Sequence, residues 1–144
     1  MSKYISKSEK ETEKIAGKLA KKLKGGEVIG LIGDLGTGKT VFVRGLAKAF
    51  GIKKNLTSPT FVLMKVYKIE NWPLGIENFL HVDAYRLKDE KDLIEIGILD
   101  WLNKKESIII IEWADKVKKI LPKNSIIIKM KFGKKKNERI IEIN

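Results

Sequence analysis

Apolar residues along this chain switch between two spacings, and the switches mark out its elements. Ile15, Ala16, Leu19, Ala20 and Leu23 recur at three- and four-residue steps, which places them on one helix face. Ser8-Glu9-Lys10-Glu11 ahead of them has capping-box spacing, and Gly25-Gly26 ends the run. A short apolar stretch over 27–32 then reads as a strand that stops at Gly33. Val41, Phe42, Leu46 and Ala47 return to helical spacing until Gly51. Residues 61–69, rich in Val and Tyr, read as a strand. It turns through Asn71-Trp72-Pro73-Leu74-Gly75 into a second strand that ends at Asp83. A short helix is expected over 89–96. Residues 107–111 make the most apolar strand, bounded by Glu112, and 113–121 a short helix stopped by Pro122. Two strands, 125–132 and 138–143, close the chain around a turn at 133–137. Early strand–helix alternation implies parallel pairing and the later hairpins antiparallel pairing. The expected architecture is α/β, a mixed sheet flanked by helices.

A length of 144 residues suits one domain over 1–144 with a single core. There is no cysteine, which excludes disulfides and thiolate metal sites, and the lone histidine, His81, excludes a multi-histidine metal centre. The first residues lack the apolar core of a signal peptide, and no apolar run reaches membrane-spanning length. A cytoplasmic protein without membrane attachment is expected. The net charge of +12 admits nucleic acid as a partner. Yet only Arg44, Arg86 and Arg139 are arginines, and the remaining basic residues are lysines, crowded at 53–54, 116–119 and 134–136. Such an excess fits an RNA-facing patch. It fits equally a set of solvated faces set by genome composition or growth at high temperature.

Gly33-Asp34-Leu35-Gly36-Thr37-Gly38-Lys39-Thr40 changes the picture. It reads G-x-x-x-x-G-K-T, a phosphate-binding loop between a strand and a helix, which is the context that motif requires. Glycines let the backbone wrap close to phosphate oxygens, and the N–H groups entering the helix make an anion nest. Lys39 would bring its charge to the β- and γ-phosphates, and the Thr40 hydroxyl would ligate Mg²⁺. The fold expectation sharpens to a P-loop NTPase-like sheet.

A nucleotide hydrolase of this type needs a second acid at a strand end to hold Mg²⁺. Two acids follow apolar runs, Glu112 after Ile108-Ile109-Ile110-Ile111 and Asp83 after Phe79-Leu80-His81-Val82. Glu112 is the favoured Mg²⁺ partner, and Asp83 the catalytic or water-positioning acid. Either one is also placed to cap a following helix. Asn103-Lys104-Lys105-Glu106 imitates the guanine-reading N-K-x-D motif, but it precedes a strand rather than following one, so guanine specificity is unsupported. His81 reads as a proton relay or as a packed strand residue. Trp113 reads as a base-stacking ring or a cover for the core. Packing is the reading for Trp72 and Trp101.

Five blocks, in order, resemble the TsaE (YjeE) family. They are the P-loop itself, Ser58-Pro59-Thr60-Phe61, His81-Val82-Asp83-Ala84-Tyr85-Arg86-Leu87, Glu95-Ile96-Gly97 and Ile111-Glu112-Trp113. Beyond Trp113 the resemblance rests on strand pattern and length. It implies a small ATPase of tRNA threonylcarbamoyladenosine (t6A) formation, working with the TsaD and TsaB proteins, in which ATP hydrolysis resets the complex between rounds. Carried onto this chain, Asp34, Leu35, Gly36, Thr37, Gly38, Lys39, Thr40 and Val41 would hold the phosphates. Thr40 and Glu112 would hold Mg²⁺, with Lys39, Asp83, Glu112 and Thr60 carrying the catalysis. Ser58 and Thr60 would lie in a loop that senses the γ-phosphate. Glu11 and Thr12 would border the adenine, unless they simply form the first turn of their helix. Thr37 stands where the family commonly has Ala, and Ala84 where it commonly has Leu. Turnover is expected to be weak alone and raised by the TsaD–TsaB partner, with tRNA met directly or through that complex. Arg86 is the internal arginine best placed to touch the transition state. The competing readings are a P-loop kinase for a small acceptor and a non-enzymatic RNA-binding module.

Overall fold

The structure, a computed structural model, describes residues 1–53, 56 and 62–144. The turn expected around Ser58 and Thr60, and the strand start at Phe61, lie outside the described residues. The chain runs β1 (Ser2–Ser6), α1 (Glu9–Ala20), β2 (Val28–Gly33), α2 (Lys39–Ala49), β3 (Met64–Lys68) and β4 (Asn78–Asp83). It continues through α3 (Lys91–Glu95), α4 (Ile98–Trp101), β5 (Ser107–Glu112), β6 (Ile126–Phe132) and β7 (Arg139–Ile143). Among the described residues these strands form one seven-stranded sheet in the order β1-β7-β6-β2-β5-β4-β3. The four inner strands β6, β2, β5 and β4 are mutually parallel, and β3, β7 and β1 pair antiparallel at the two edges. The expected mixed α/β sheet is the one observed.

The continuous apolar runs are explained by burial on both faces, as in parallel inner strands generally. Ile29, Leu31, Phe79, Ile108 and Ile110 point to the face covered by α1 and α2, joining Leu19, Phe42 and Leu46. Val28, Leu80, Val82, Ile109 and Ile111 point to the other face, joining Leu93 of α3, Ile98 of α4 and Ala114, Val117 and Ile120. The second cover stops short of β6, so Lys129 and Lys131 project there into solvent. Burying each of the large apolar side chains of these two cores, such as Ile110 or Leu80, stabilises by about 1.5–3 kcal/mol.

Three details differ from the sequence expectation. β1 was not foreseen: a five-residue segment carries too little pattern, and it becomes a strand by pairing with β7, Tyr4 opposite Ile141. The helix expected over 89–96 is a five-residue piece, turned at Gly97 (φ 93°) into the separate α4. Residues Ala114–Ile120 form 3-10 turns broken at Val117 (φ −131°) rather than an α-helix.

The capping signal at α1 is realised with a shift. Ser8 Oγ accepts the Glu11 N–H at 3.1 Å, and Glu11 Oε2 reaches back to the Lys7 N–H at 2.6 Å, one residue before the cap itself. Such caps contribute about 1 kcal/mol. The Ser6 and Thr12 hydroxyls meet at 2.7 Å in the interior, which ties β1 to the first turn of α1.

Candidate nucleotide-binding site

Parallel pairing brings three strand ends together. Asp83 lies directly opposite Glu112, and Glu112 opposite Leu31, so the C-terminal ends of β4, β5 and β2 form one edge. The crevice beyond the carboxyl ends of parallel strands is where open α/β sheets bind ligands. Here β2 runs into the loop 33–40 and α2 starts at Lys39.

The loop is shaped for an anion. Gly38 caps α2 in the left-handed region (φ 99°) and, having no side chain, makes no cap hydrogen bond of its own to the helix start. Gly33 is needed for a different reason than approach to phosphate. A Cβ there would stand 2.5 Å from the Met130 carbonyl oxygen and 2.7 Å from Thr37 Oγ1. Thr37 braces the loop, with its hydroxyl donating to the Asp34 carbonyl at 2.8 Å.

Lys39 is almost wholly buried. Its Nζ donates to the carbonyls of Gly33 at 2.5 Å and Asp34 at 2.9 Å, and lies 4.1 Å from the centre of the Trp113 ring. Burial pushes its pKa down, opposed by the carboxylates of Glu112, Asp34 and Asp83. Glu112 is also buried: Oε1 accepts from Thr40 Oγ1 at 3.1 Å and Oε2 meets His81 Nε2 at 2.6 Å. Asp83 accepts the Tyr85 N–H at 3.0 Å, and its pKa is raised, first by desolvation and further by the neighbouring Glu112.

These groups line a cavity of about 710 Å³, within the range of small-molecule sites. Leu35 through Val41, Asp83, Glu112 and Trp113 form the end where the sequence motif would place phosphate, and Lys7, Ser8, Glu9, Thr12, Asn137 and Arg139 the other. Of the residues singled out in the sequence, Thr12 lines the cavity but is buried against Ser6, and Glu11 points to Lys7 instead of the cavity. Asp34 contributes its carbonyl to Lys39 and is not among the lining residues, nor is the exposed Arg86. Ser58 and Thr60 lie outside the described residues.

Two features escaped the sequence reading. Arg139, at the start of β7, donates from Nη2 to the Gly36 carbonyl at 3.2 Å and stacks on Phe132, tying the far edge of the sheet to the loop. No local signal marks it, since Gly36 is 103 residues away. Trp113 takes a left-handed backbone (φ 59°), rare for a bulky residue, which lays its ring between Lys39 and Tyr85.

Among the described residues no three carboxylate or imidazole side chains converge on a metal. A hydroxyl and one carboxylate oxygen, those of Thr40 and Glu112, do converge at the phosphate end. That donor set fits Mg²⁺, which is commonly held by one or two protein oxygens together with waters and substrate phosphates.

A family model described as "Threonylcarbamoyl adenosine biosynthesis protein TsaE" matches residues 6–141. The chain belongs to the TsaE family. It is 39% identical to the tRNA threonylcarbamoyladenosine biosynthesis protein TsaE of Rickettsia typhi, over 87% of this chain and 83% of that protein. It is 34% identical to the TsaE of Bacillus subtilis, over 90% of this chain and 77% of that one. Among solved structures, the crystal structure of Bacillus subtilis YdiB superposes with a TM-score of 0.80 at 29% identity, covering 99% of this chain and 83% of that chain. The TsaE resemblance read from the five sequence blocks and the P-loop fold are both borne out.

Proposed function

We propose that this TsaE-family chain is a Mg²⁺-dependent ATPase of t6A formation in tRNA, acting in the cytoplasm as one domain over 1–144. In this reading, hydrolysis resets a TsaD–TsaB-type complex, and tRNA is met directly or through that complex. The observation that carries the ATPase reading is the 3.1 Å contact between Thr40 of the P-loop and the buried carboxylate of Glu112, with Asp83 on the adjacent strand. The t6A role is supported by the names of the relatives.

The chemistry follows from positioning and charge. Lys39 exchanges the Gly33 and Asp34 carbonyls for the β/γ-phosphates, and the N–H groups at the start of α2 receive the phosphate oxygens. Thr40 and Glu112 would hold Mg²⁺, which would supply charge neutralisation on the transferred phosphoryl group when bound. Asp83, whose desolvated carboxyl has a raised pKa, accepts a hydrogen bond from the attacking water and orients it toward the γ-phosphate. Thr60 and Ser58 are assigned to γ-phosphate sensing by the family resemblance.

The test is hydrolysis of ATP with and without TsaD–TsaB, alongside t6A formation. Slow release of inorganic phosphate that rises with the partner and vanishes in Lys39→Ala is expected. Hydrolysis in Lys39→Ala at the wild-type rate would overturn the site. Phosphate transferred to an acceptor, rather than released, would favour a kinase.

A further inference from the structure

We propose that His81 is a positioning residue for Glu112, holding the carboxylate through an Nε2–H donor so that its other oxygen faces Thr40 and the phosphate end of the cavity. The inference rests on Glu112 being the metal-side acid, and it assigns a role to a buried imidazole that the hydrolytic scheme leaves unused.

His81 sits on β4 opposite Ile110 of β5, and Glu112 is two residues further along β5. Period-two alternation puts His81 and Glu112 on the same face of the sheet as diagonal neighbours. The imidazole is fully buried, and its Nε2 stands 2.6 Å from Glu112 Oε2. Glu112 accepts from the Thr40 hydroxyl through Oε1, and in the ionised form that would hold a cation its Oε2 is an acceptor as well. The proton of the short contact must then come from His81.

The other ring nitrogen fixes the tautomer. Nδ1 is buried and has no hydrogen-bond partner among the described residues. A buried N–H without an acceptor is costly, whereas a bare lone pair leaves no donor stranded. The proton therefore lies on Nε2. Glu112 is thus gripped from both ends of the carboxylate, by the β4 imidazole on one side and by the P-loop hydroxyl on the other. A glutamate bounded only by Ile side chains would lack that constraint on its rotation. Hydrogen bonds of this kind to a metal-side carboxylate typically govern metal affinity by 10–100-fold (roughly) when they are lost.

His81 is the only histidine in the chain, so ¹⁵N-histidine labelling gives one imidazole to observe. In the nucleotide-free protein we expect a protonated Nε2, an unprotonated Nδ1, and a downfield Nε2–H proton that moves upfield in Glu112→Gln. A proton on Nδ1, or an Nε2–H indifferent to Glu112→Gln, overturns the proposal, and neither observation requires hydrolysis. The second measurement is calorimetric binding of a non-hydrolysable ATP analogue across a MgCl₂ series. His81→Leu should raise the Mg²⁺ concentration for half-maximal enhancement by about tenfold, with Mg²⁺-free binding unchanged. His81→Gln keeps an N–H near the Nε2 position and should recover most of that loss. Equal behaviour of the Leu and Gln variants, or an equal loss in Mg²⁺-free binding, would mean that His81 only packs. If His81→Leu fails to fold, the spectra of the wild type and Glu112→Gln decide alone. Absence of any Mg²⁺ effect in the wild type would count against the metal assignment of Thr40 and Glu112, and leaves the imidazole result standing.

Discussion

Gly45 offers a direct test of how the packing of α1 on α2 supports the site. It lies in the middle of α2, where a methyl group would meet the Cα and the carbonyl oxygen of Glu13 at 2.7 Å each and Ala16 Cβ at 2.8 Å. Two effects of Gly45→Ala oppose each other. Replacing glycine by alanine inside a helix gains about 1 kcal/mol of helix stability. Overpacking costs about 1–3 kcal/mol, and the upper half applies here because the wall is backbone, so that α1 must move as a body. The clash wins, with a net loss of about 1–2 kcal/mol. For a chain of this size, at about 3 °C per kcal/mol, Tm falls by about 3–6 °C. The displacement reaches the ligand because Ser8, Glu9 and Thr12 at the start of α1 line the cavity. Nucleotide affinity should fall together with Tm. Thermal unfolding followed by calorimetry, with titration of an ATP analogue below the transition, measures both. Gly51→Ala is the control: nothing lies within 4 Å of its added methyl, its φ of +79° strains the backbone alone, and it should leave affinity unchanged. A Tm for Gly45→Ala above that of the wild type would refute the packing argument.

Further outcomes follow from Asp83 and Arg139. Asp83 has a raised pKa in the folded protein, so its proton favours the native state below the unfolded aspartate value of about 3.9, and that contribution is lost as pH rises through the folded value. At pH 7 the ionised carboxyl is a net cost. Asp83→Asn should therefore melt higher than wild type at neutral pH, with the gap closing toward pH 4, while hydrolysis drops by about 100-fold or more. A lower Tm at pH 7 would contradict that sign. Arg139→Ala removes the Nη2 bond to the Gly36 carbonyl, a loss of about 1 kcal/mol in loop organisation, and should weaken nucleotide binding by about fivefold. Unchanged affinity in calorimetry would show that the tie to β7 plays no part in shaping the loop.

Much of the site was legible because its residues stand where periodicity changes. The P-loop begins where the apolar run of β2 ends, and Glu112 and Asp83 each close an apolar run, so their places at strand ends could be read directly. Their adjacency could not be read, because it depends on β5 inserting between β2 and β4. The pairing of Asp83 with Glu112, and of Glu112 with Leu31, is a tertiary result. Arg139 was illegible for the same reason, since its partner lies on the opposite end of the chain. Trp113 could be read as an aromatic beside the acid, but its left-handed backbone, which turns the ring onto Lys39, has no sequence signature. β1 needed β7 to become a strand at all.

The β1–β7 pair has a mechanical consequence. The two strands run antiparallel with Ser2 opposite Ile143, so these positions leave the sheet side by side. Tension applied between them would part the pair one hydrogen bond at a time, as a zip opens, instead of shearing the whole ladder together. The strand that peels away leads through Ser6, bound to Thr12, straight into the helix start that walls the cavity. A pull of this kind is felt at the ligand before it reaches α2 or the buried inner strands. The edge of the sheet farthest from Asp83 and Glu112 would thus be a handle on how long a nucleotide stays in the proposed site.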